Sequence, residues 1–255
     1  MAMTLTPVQG IPLIRPGDSL AEIILGCLGQ SGIILQDGDI LVLAQKIVSK
    51  AEGRLVNLAS IQPSEAALEL ARKTEKDPRL VELVLQESTE VLRYRAGTII
   101  VQHRLGFICA NAGIDHSNVA GSGDEKEEWV LLLPSDPDRS ARELRQRIEE
   151  ASHAHLGVMI IDSHGRSWRI GTVGVAIGLS GLPGVVDLRG WKDLFGYVLR
   201  VTQVGVADEL AAAASLLMGQ AAERTPVIHV RGFPYPLRDG RLAELLRPKD
   251  QDLFR

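Results

Sequence analysis

The chain has 255 residues, 45% of them hydrophobic, enough to bury a substantial core as one large domain or two smaller interleaved ones. A formal charge of -4, with acids and bases mixed throughout, leaves no concentrated basic face for a phosphodiester backbone, so nucleic acid is not expected as a main partner. The opening MAMTLTPVQG lacks the basic start and apolar run of a signal peptide, and no later run reaches the ~18 apolar residues of a membrane helix. A soluble cytoplasmic protein with no membrane partner is expected.

Ser19 and Glu22 have capping-box spacing ahead of a helix in AEIILGCLG. DGDILVLAQ reads as a turn and a buried strand, with KIVSKAEGR directly behind it. PSEAALELARKTEK and DPRLVELVLQES follow as a helical pair, each with a cap or turn signal at its start. TEVLRYRAGTIIVQHRLGFICANAG reads as successive strands bending at Gly97 and Gly106 and ending near Ile114 and Asp115. GSGDEKEEW is expected to be an exposed loop, after which WVLLLP resumes the sheet. DPDRSARELRQRIEEASHAH is a charged amphipathic helix leading into GVMIIDSHGR. In that segment Val158 to Ile161 has the length and β-branching of a strand buried on both faces, so Asp162 is expected where the strand leaves the sheet. Its other reading is the opening of a turn through Ser163, His164 and Gly165. GTVGVAIGLSGLPG, residues 171 to 184, is glycine-rich and uncharged, and is expected to be irregular backbone packed closely on something. VADELAAAASLLMGQAAE is the clearest helix and TPVIHVRG the clearest short strand, while residues 234 to 255 form a C-terminal arm, docked or loose. The helix and strand order predicts an α/β protein, mixed α+β, with no repeat or linker that separates autonomous domains.

Cys27 and Cys109 each sit in an apolar pattern and read as reduced core residues. The six histidines are scattered, and neither a zinc motif, a nucleophile elbow nor a phosphate-binding glycine loop ending in Lys-Ser or Lys-Thr is present. What remains is a set of polar groups at the ends of apolar strands. Gln45, Lys46, Ser49 and Lys50 follow one strand, Asp115 and Asn118 another, Asp162 and Ser163 a third. Oxygen ligands from Asp115, Asp162 and Ser163 suit a hard cation such as magnesium or manganese, and the lysines suit phosphate oxygens. Each residue also has an ordinary role: lysines flanking a strand are usually solvated, and Asn118 can simply close a turn.

The order of LAQKIVSKAEGR, HRLGFICANAGIDHSNV, LLPSDPDRSARELR, GVMIIDSHGRSWRIGTVGVAIG and DLRGWKDLFGYVLRVTQVGVADELAAAASLLMGQ resembles the coenzyme F420-0:L-glutamate ligase family over nearly the whole chain. The resemblance implies an unusual fold with mixed sheets, one ligase unit over residues 1 to 255, and an intertwined homodimer. It implies a GTP-dependent ligase acting on F420-0 and L-glutamate, with one or two divalent ions, magnesium or manganese, and potassium as a further candidate. By the same resemblance the GTP site includes Ile11, Pro12, Leu13, Ile14, Gln45, Lys46, Lys50 and Asn118. The segment Met218, Gly219, Gln220, Ala221, Ala222, Glu223, Arg224 and Thr225 forms another wall. The implied metal ligands are Asp115, Asp162, Ser163 and Gln220. Ser163 stands where the family often has threonine, which keeps the hydroxyl. Some relatives carry an additional fused flavin-binding domain, and none is expected in this chain.

The implied route transfers the γ-phosphoryl group of GTP to the F420-0 carboxylate, giving an acyl phosphate that the glutamate amine attacks; further γ-linked glutamates follow where the first product is accepted again. His103, His116 and His164 are chemically competent bases for the amine, with nothing in the sequence to choose among them. Two other readings of the residues stay open. One is a metal-dependent phosphohydrolase with Asp162 as nucleophile or ligand, the other a non-catalytic nucleotide-binding module whose carboxylates only cap turns.

Overall fold

The computed structural model describes residues 2–119 and 128–253. The loop expected at residues 121 to 129 therefore lies largely outside the described residues. In chain order, strand β1 (Thr4–Pro7) and helix α1 (Leu20–Gln30) precede strand β2 (Ile40–Ala44), which runs without a break into helix α2 (Gln45–Ala51). Strand β3 (Leu55–Asn57), helices α3 (Glu65–Thr74) and α4 (Pro78–Gln86), and strands β4 (Ser88–Arg95), β5 (Thr98–His103) and β6 (Ile108–Ala110) follow. Strand β7 (Trp129–Leu131) and helix α5 (Pro137–Ser152) lead into a long hairpin of β8 (Gly157–Arg166) and β9 (Arg169–Ser180). The short strands β10 (Val186–Asp187) and β11 (Gln203–Val204) bracket an arm before helix α6 (Val206–Met218) and strand β12 (Val227–Arg231).

Local chemistry accounts for several helix starts. The side chains of Ser64, Asp77 and Asp136 accept backbone N–H groups at the starts of α3, α4 and α5, and proline opens the last two. Ser19 does cap α1 by position, but its side chain makes no capping hydrogen bond, so the expected capping box does not form.

The central sheet has the order β1-β12-β2-β8-β9. Only the β2–β8 pair is parallel, so the sheet is mixed. The two-residue period of β2 and β8 divides their apolar side chains between two cores. Leu41, Leu43, Val158 and Ile160 pack with Ile24 and Leu28 of α1 and Leu144 and Ile148 of α5. Ile40, Val42, Met159 and Ile161 pack with Leu210, Ala211 and Ala214 of α6. Each such buried side chain contributes roughly 1.5–3 kcal/mol relative to exposure. A smaller core joins α3 and α4 to the sheet β4-β5-β6, through Ala67, Ala71, Val81, Val84, Ile99 and Val101. Cys27 and Cys109 are both buried free thiols, as their apolar settings predict.

Two expectations fail in the β8–β9 hairpin. Asp162 does not leave the sheet: β8 continues through it to Arg166, paired with β9 after its partner β2 has ended at the Ala44–Ile161 pair. Nor is the stretch from Gly171 irregular, because β9 runs to Ser180. Its glycines serve close packing. A Cβ on Gly174 would lie 2.5 Å from the Ala211 carbonyl oxygen, and one on Gly178 would lie 2.4 Å from Pro137. α6 and the start of α5 therefore press directly on the strand. The register skips Ile177 in a bulge, and the neighbouring Ala176 amide donates to Asp208 on α6 at 2.9 Å. In the C-terminal arm Leu242 is buried, and Glu244 accepts the Gly184 amide at 3.1 Å. Among the described residues no helix is long and apolar enough to cross a membrane.

Candidate functional site

A cavity of about 480 Å³ opens beyond the carboxyl ends of the parallel pair β2 and β8. Crevices at that end of parallel strands are a recurrent place for ligands in α/β proteins. Three features of the backbone make the hollow. β2 stops and α2 turns away, β8 runs on past the end of β2, and the segment after α6 folds across the gap. Gly219 ends α6 with φ 72°, and the Thr225 hydroxyl donates to the Met218 carbonyl at 3.1 Å, which ties the two ends of that segment together.

The cavity wall includes Ile11, Pro12, Leu13 and Ile14 on one side and Gln45, Lys46 and Lys50 of α2 on another. Asn118, Asp162, Ser163 and the whole segment Met218 to Thr225 complete it. The residues assigned to GTP by resemblance thus border a single hollow. Asp115 stands behind Gln45 and Lys46 instead of on the wall.

Successive turns of α2 aim their side chains together. The buried Gln45 accepts the Ser49 hydroxyl at 2.8 Å and donates its amide to Asp115 at 2.7 Å. Lys46 Nζ lies 3.3 Å from Asp115 and donates to the carbonyl and hydroxyl oxygens of Ser117 at 3.1 and 2.8 Å. Lys50 donates to the Asn118 carbonyl at 2.7 Å, and the Asn118 amide in turn reaches the Ala221 carbonyl at 3.1 Å. Asn118 adopts φ 57°, a left-handed conformation that asparagine tolerates, so the turn that it closes also links α2 to the far wall. Its ordinary turn role and its place in the site are the same geometry.

Burial pushes the Asp115 carboxyl up to about 6, and the nearby Asp162 charge pushes in the same direction against the opposing attraction of Lys46. The field of Asp162 also reaches buried Cys109, whose thiol burial and that charge push up to about 12. Lys50 is held below its ordinary value, first by burial and then by Lys46. Two carboxylates from distant parts of the chain and two lysines therefore share one poorly solvated region, with like charges set against each other.

Asp162 and Ser163 are adjacent on β8 and so project to opposite faces. Ser163 Oγ donates to Gln220 Oε1 at 3.1 Å, and the Gln220 amide donates to Ser215 on α6 at 3.2 Å. Two carboxylates towards one side of β8, and a hydroxyl with an amide oxygen towards the other, are all oxygen donors of the kind that magnesium or manganese accepts. The mutual repulsion of Asp115 and Asp162 is the feature a cation would relieve, so these residues fit the implied metal. Among the described residues no three His, Cys, Asp or Glu side chains cluster as a metal site, so neutral protein oxygens or ligand oxygens would have to complete any shell. The histidines separate clearly: His116 is exposed, His103 is fully buried, and His164 lies against Asp162. Ser117 and Ser215 were not singled out by the sequence. Only the position of Ser215, five residues before Gln220 at the end of an apolar helix, carried any signal for it.

A family model described as F420-0:Gamma-glutamyl ligase matches residues 10–232. The chain belongs to that family. The coenzyme F420:L-glutamate ligase of Methanothermobacter thermautotrophicus is 48% identical, with 100% of both chains covered. Those of Methanopyrus kandleri and Archaeoglobus fulgidus are 44% and 43% identical, covering 97% and 100% of this chain and 97% of each relative. Membership in the F420-0:gamma-glutamyl ligase family is thus shared across the full length of the fold, and the cavity lies inside the matched span.

Proposed function

We propose that this chain is a GTP-dependent ligase that joins L-glutamate to coenzyme F420-0 in coenzyme F420 biosynthesis. Kinship over the full chain supports the ligase class. The observation that carries the site is the placement of Asp162, Lys46 and Lys50 on one cavity wall with Asp115 paired to Lys46 just behind it, since oxygen ligands set beside cations suit phosphoryl transfer.

A free carboxylate is a poor electrophile, so amide formation in water requires its activation. In the proposed sequence a carboxylate oxygen of F420-0 attacks the γ-phosphorus of GTP and the bond to the β–γ bridging oxygen breaks, releasing GDP. The glutamate amine then attacks the acyl carbon of the resulting acyl phosphate, loses a proton and expels inorganic phosphate. Divalent metal, one ion or two, would supply positive charge that offsets that of the phosphates. Asp115, Asp162, Ser163 and Gln220 would hold it, and Lys46 and Lys50 would neutralise the phosphate charge that remains. The wall from Met218 to Thr225, with Ile11 to Ile14 opposite, would enclose the nucleotide and exclude water.

Apolar exposure supports a homodimer as the active unit. Leu194 and Phe195 are 98% and 96% exposed, in an arm that also presents Trp191, Tyr197 and Val201, and a soluble monomer rarely leaves such a patch open. The deciding experiment incubates purified protein with GTP, divalent metal, L-glutamate and F420-0 and weighs the product. Glutamylated F420 and GDP formed only when F420-0 and metal are both present support the reading. Brisk GTP hydrolysis without F420-0 would replace it with the phosphohydrolase.

A further inference from the structure

Asp162 and His164 are two residues apart on β8, in register with Val175 and Val173 of β9, so their side chains share a face. His164 Nε2 lies 3.0 Å from Asp162 Oδ2, with the two side chains only 10% and 13% exposed. Ring packing fixes the imidazole. Its centroid is 5.2 Å from that of Phe107, tilted by 52°, and Phe107 stacks on His103 at 5.1 Å and 8°. The column ends in a pinned ring, because His103 is fully buried and its Nδ1 accepts the Leu105 amide at 3.0 Å. Sequence chemistry offers His164 as one of three bases for the amine, yet this nitrogen faces the carboxylate.

We propose that His164 is a positioning residue whose Nε2–H holds Oδ2 of Asp162, leaving Oδ1 as the oxygen presented to a divalent cation. The inference deepens the ligase reading and rests on it. A carboxylate with two free torsions would spend much of its time turned from the cavity, whereas one clamped by a packed donor is already in place. Loss of such an outer-shell partner typically costs about 10–100-fold in metal affinity.

Two substitutions separate donation from packing. His164→Phe keeps a flat ring against Phe107 but removes the donor; His164→Gln gives up the ring but can place an amide N–H near the same point. Mn2+ alone is titrated into each folded protein and the free ion is counted by electron paramagnetic resonance, alongside thermal melting and the metal dependence of ligation. The expected result is Mn2+ binding weakened about 10-fold or more in H164F, recovered to within about 3-fold in H164Q, with melting least changed in H164F. Wild-type Mn2+ affinity in H164F, in a preparation whose wild-type form ligates glutamate, overturns the inference and leaves the ligase reading standing. Equal weakening in H164F and H164Q that tracks lost thermal stability also overturns it, in favour of packing alone. Wild-type protein that binds no Mn2+ and makes no product overturns both.

Discussion

The two ends of β2 carry carboxylates of opposite character. Asp39, just before the strand, is 1% exposed, yet its pKa is held below the ordinary value. Burial alone would raise it, but Arg231 donates from Nε and Nη2 at 2.9 and 2.7 Å, His229 Nε2 lies at 2.8 Å, and the Gln36 amide donates at 2.9 Å. Asp115, beyond the other end, is 25% exposed and its carboxyl is nonetheless raised to about 6. Burial pushes both carboxyls up; at Asp39 the donors outweigh that push, and at Asp115 they do not. Where every lone pair has a donor and the charge is cancelled, the group is structural. Where a second carboxylate lies near enough to repel the first, charge is left for something else to balance.

The largest expected effect is at the saturated end. Asp39→Ala strands Arg231 and His229 against buried backbone, and breaking such a pair costs about 3–5 kcal/mol, toward the lower figure here because the Arg231 side chain is 36% exposed. Urea unfolding reads this directly. A loss below about 1 kcal/mol would show that the two ends do not differ in kind.

Asp115→Asn and Asp162→Asn are expected to do the reverse. Each keeps size and removes a negative ligand, so ligation should fall by at least about 100-fold, or about 2.7 kcal/mol, and metal binding with it. Stability should hold or rise as the repulsion is relieved. Ligase assays, Mn2+ titration and circular dichroism check this, and normal activity in both folded variants would return Asp162 to a strand-pairing role.

Glu87 adds a second saturated carboxylate, at 12% exposure. Burial opposes ionisation, but Arg104 at 2.9 Å and Arg54 at 3.1 Å carry its carboxyl down from 4.5 to about 2. His103 Nε2, 3.7 Å away, is beyond hydrogen-bond reach of Glu87 and has no hydrogen-bond partner among the described residues. A depressed pKa stabilises the fold above the unfolded value and the benefit is lost as pH falls from about 4.5 through about 2. The full shift corresponds to about 3.4 kcal/mol; with no hydrogen bond from His103 at 3.7 Å, about 2 kcal/mol should disappear across that window and be absent from Glu87→Gln, as read by urea midpoints at stepped pH.

Strands β2, β8 and β12 were legible in the sequence because short apolar runs rich in β-branched residues, such as Val158 to Ile161, have few other uses, whereas β1 was not read at all. The β9 glycines misled because glycine also marks turns, and only the approach of Ala211 and Pro137 shows that they make room for helices. Asp162 was singled out for its place after an apolar run, and the end of pairing with β2, not the end of β8, is what sets it at the cavity wall. The meeting of Asp115 with Asp162 depends on contacts between distant segments, which no local pattern encodes. Gln220 came from family resemblance, and Ser117 and Ser215 stayed hidden because a lone serine near a loop or helix end has many ordinary roles.

Lys46 gives the smallest and most discriminating comparison, because it pairs with Asp115 much as Arg231 pairs with Asp39. Its ammonium touches one carboxylate oxygen at 3.3 Å and two oxygens of Ser117, whereas Arg231 grips both oxygens of Asp39 and also the Ile34 carbonyl. A point charge with three loose partners can be lent to a phosphate; a guanidinium forked onto both oxygens of one carboxylate cannot. Lys46→Ala should therefore raise the GTP concentration for half-maximal ligation about 10-fold, worth about 1.4 kcal/mol, with unfolding close to wild type. Arg231→Ala should do the opposite, costing stability while the folded enzyme uses GTP normally. If Lys46→Ala instead loses stability and keeps its GTP dependence, the Lys46–Asp115 contact is a structural ion pair and the two ends of β2 are alike.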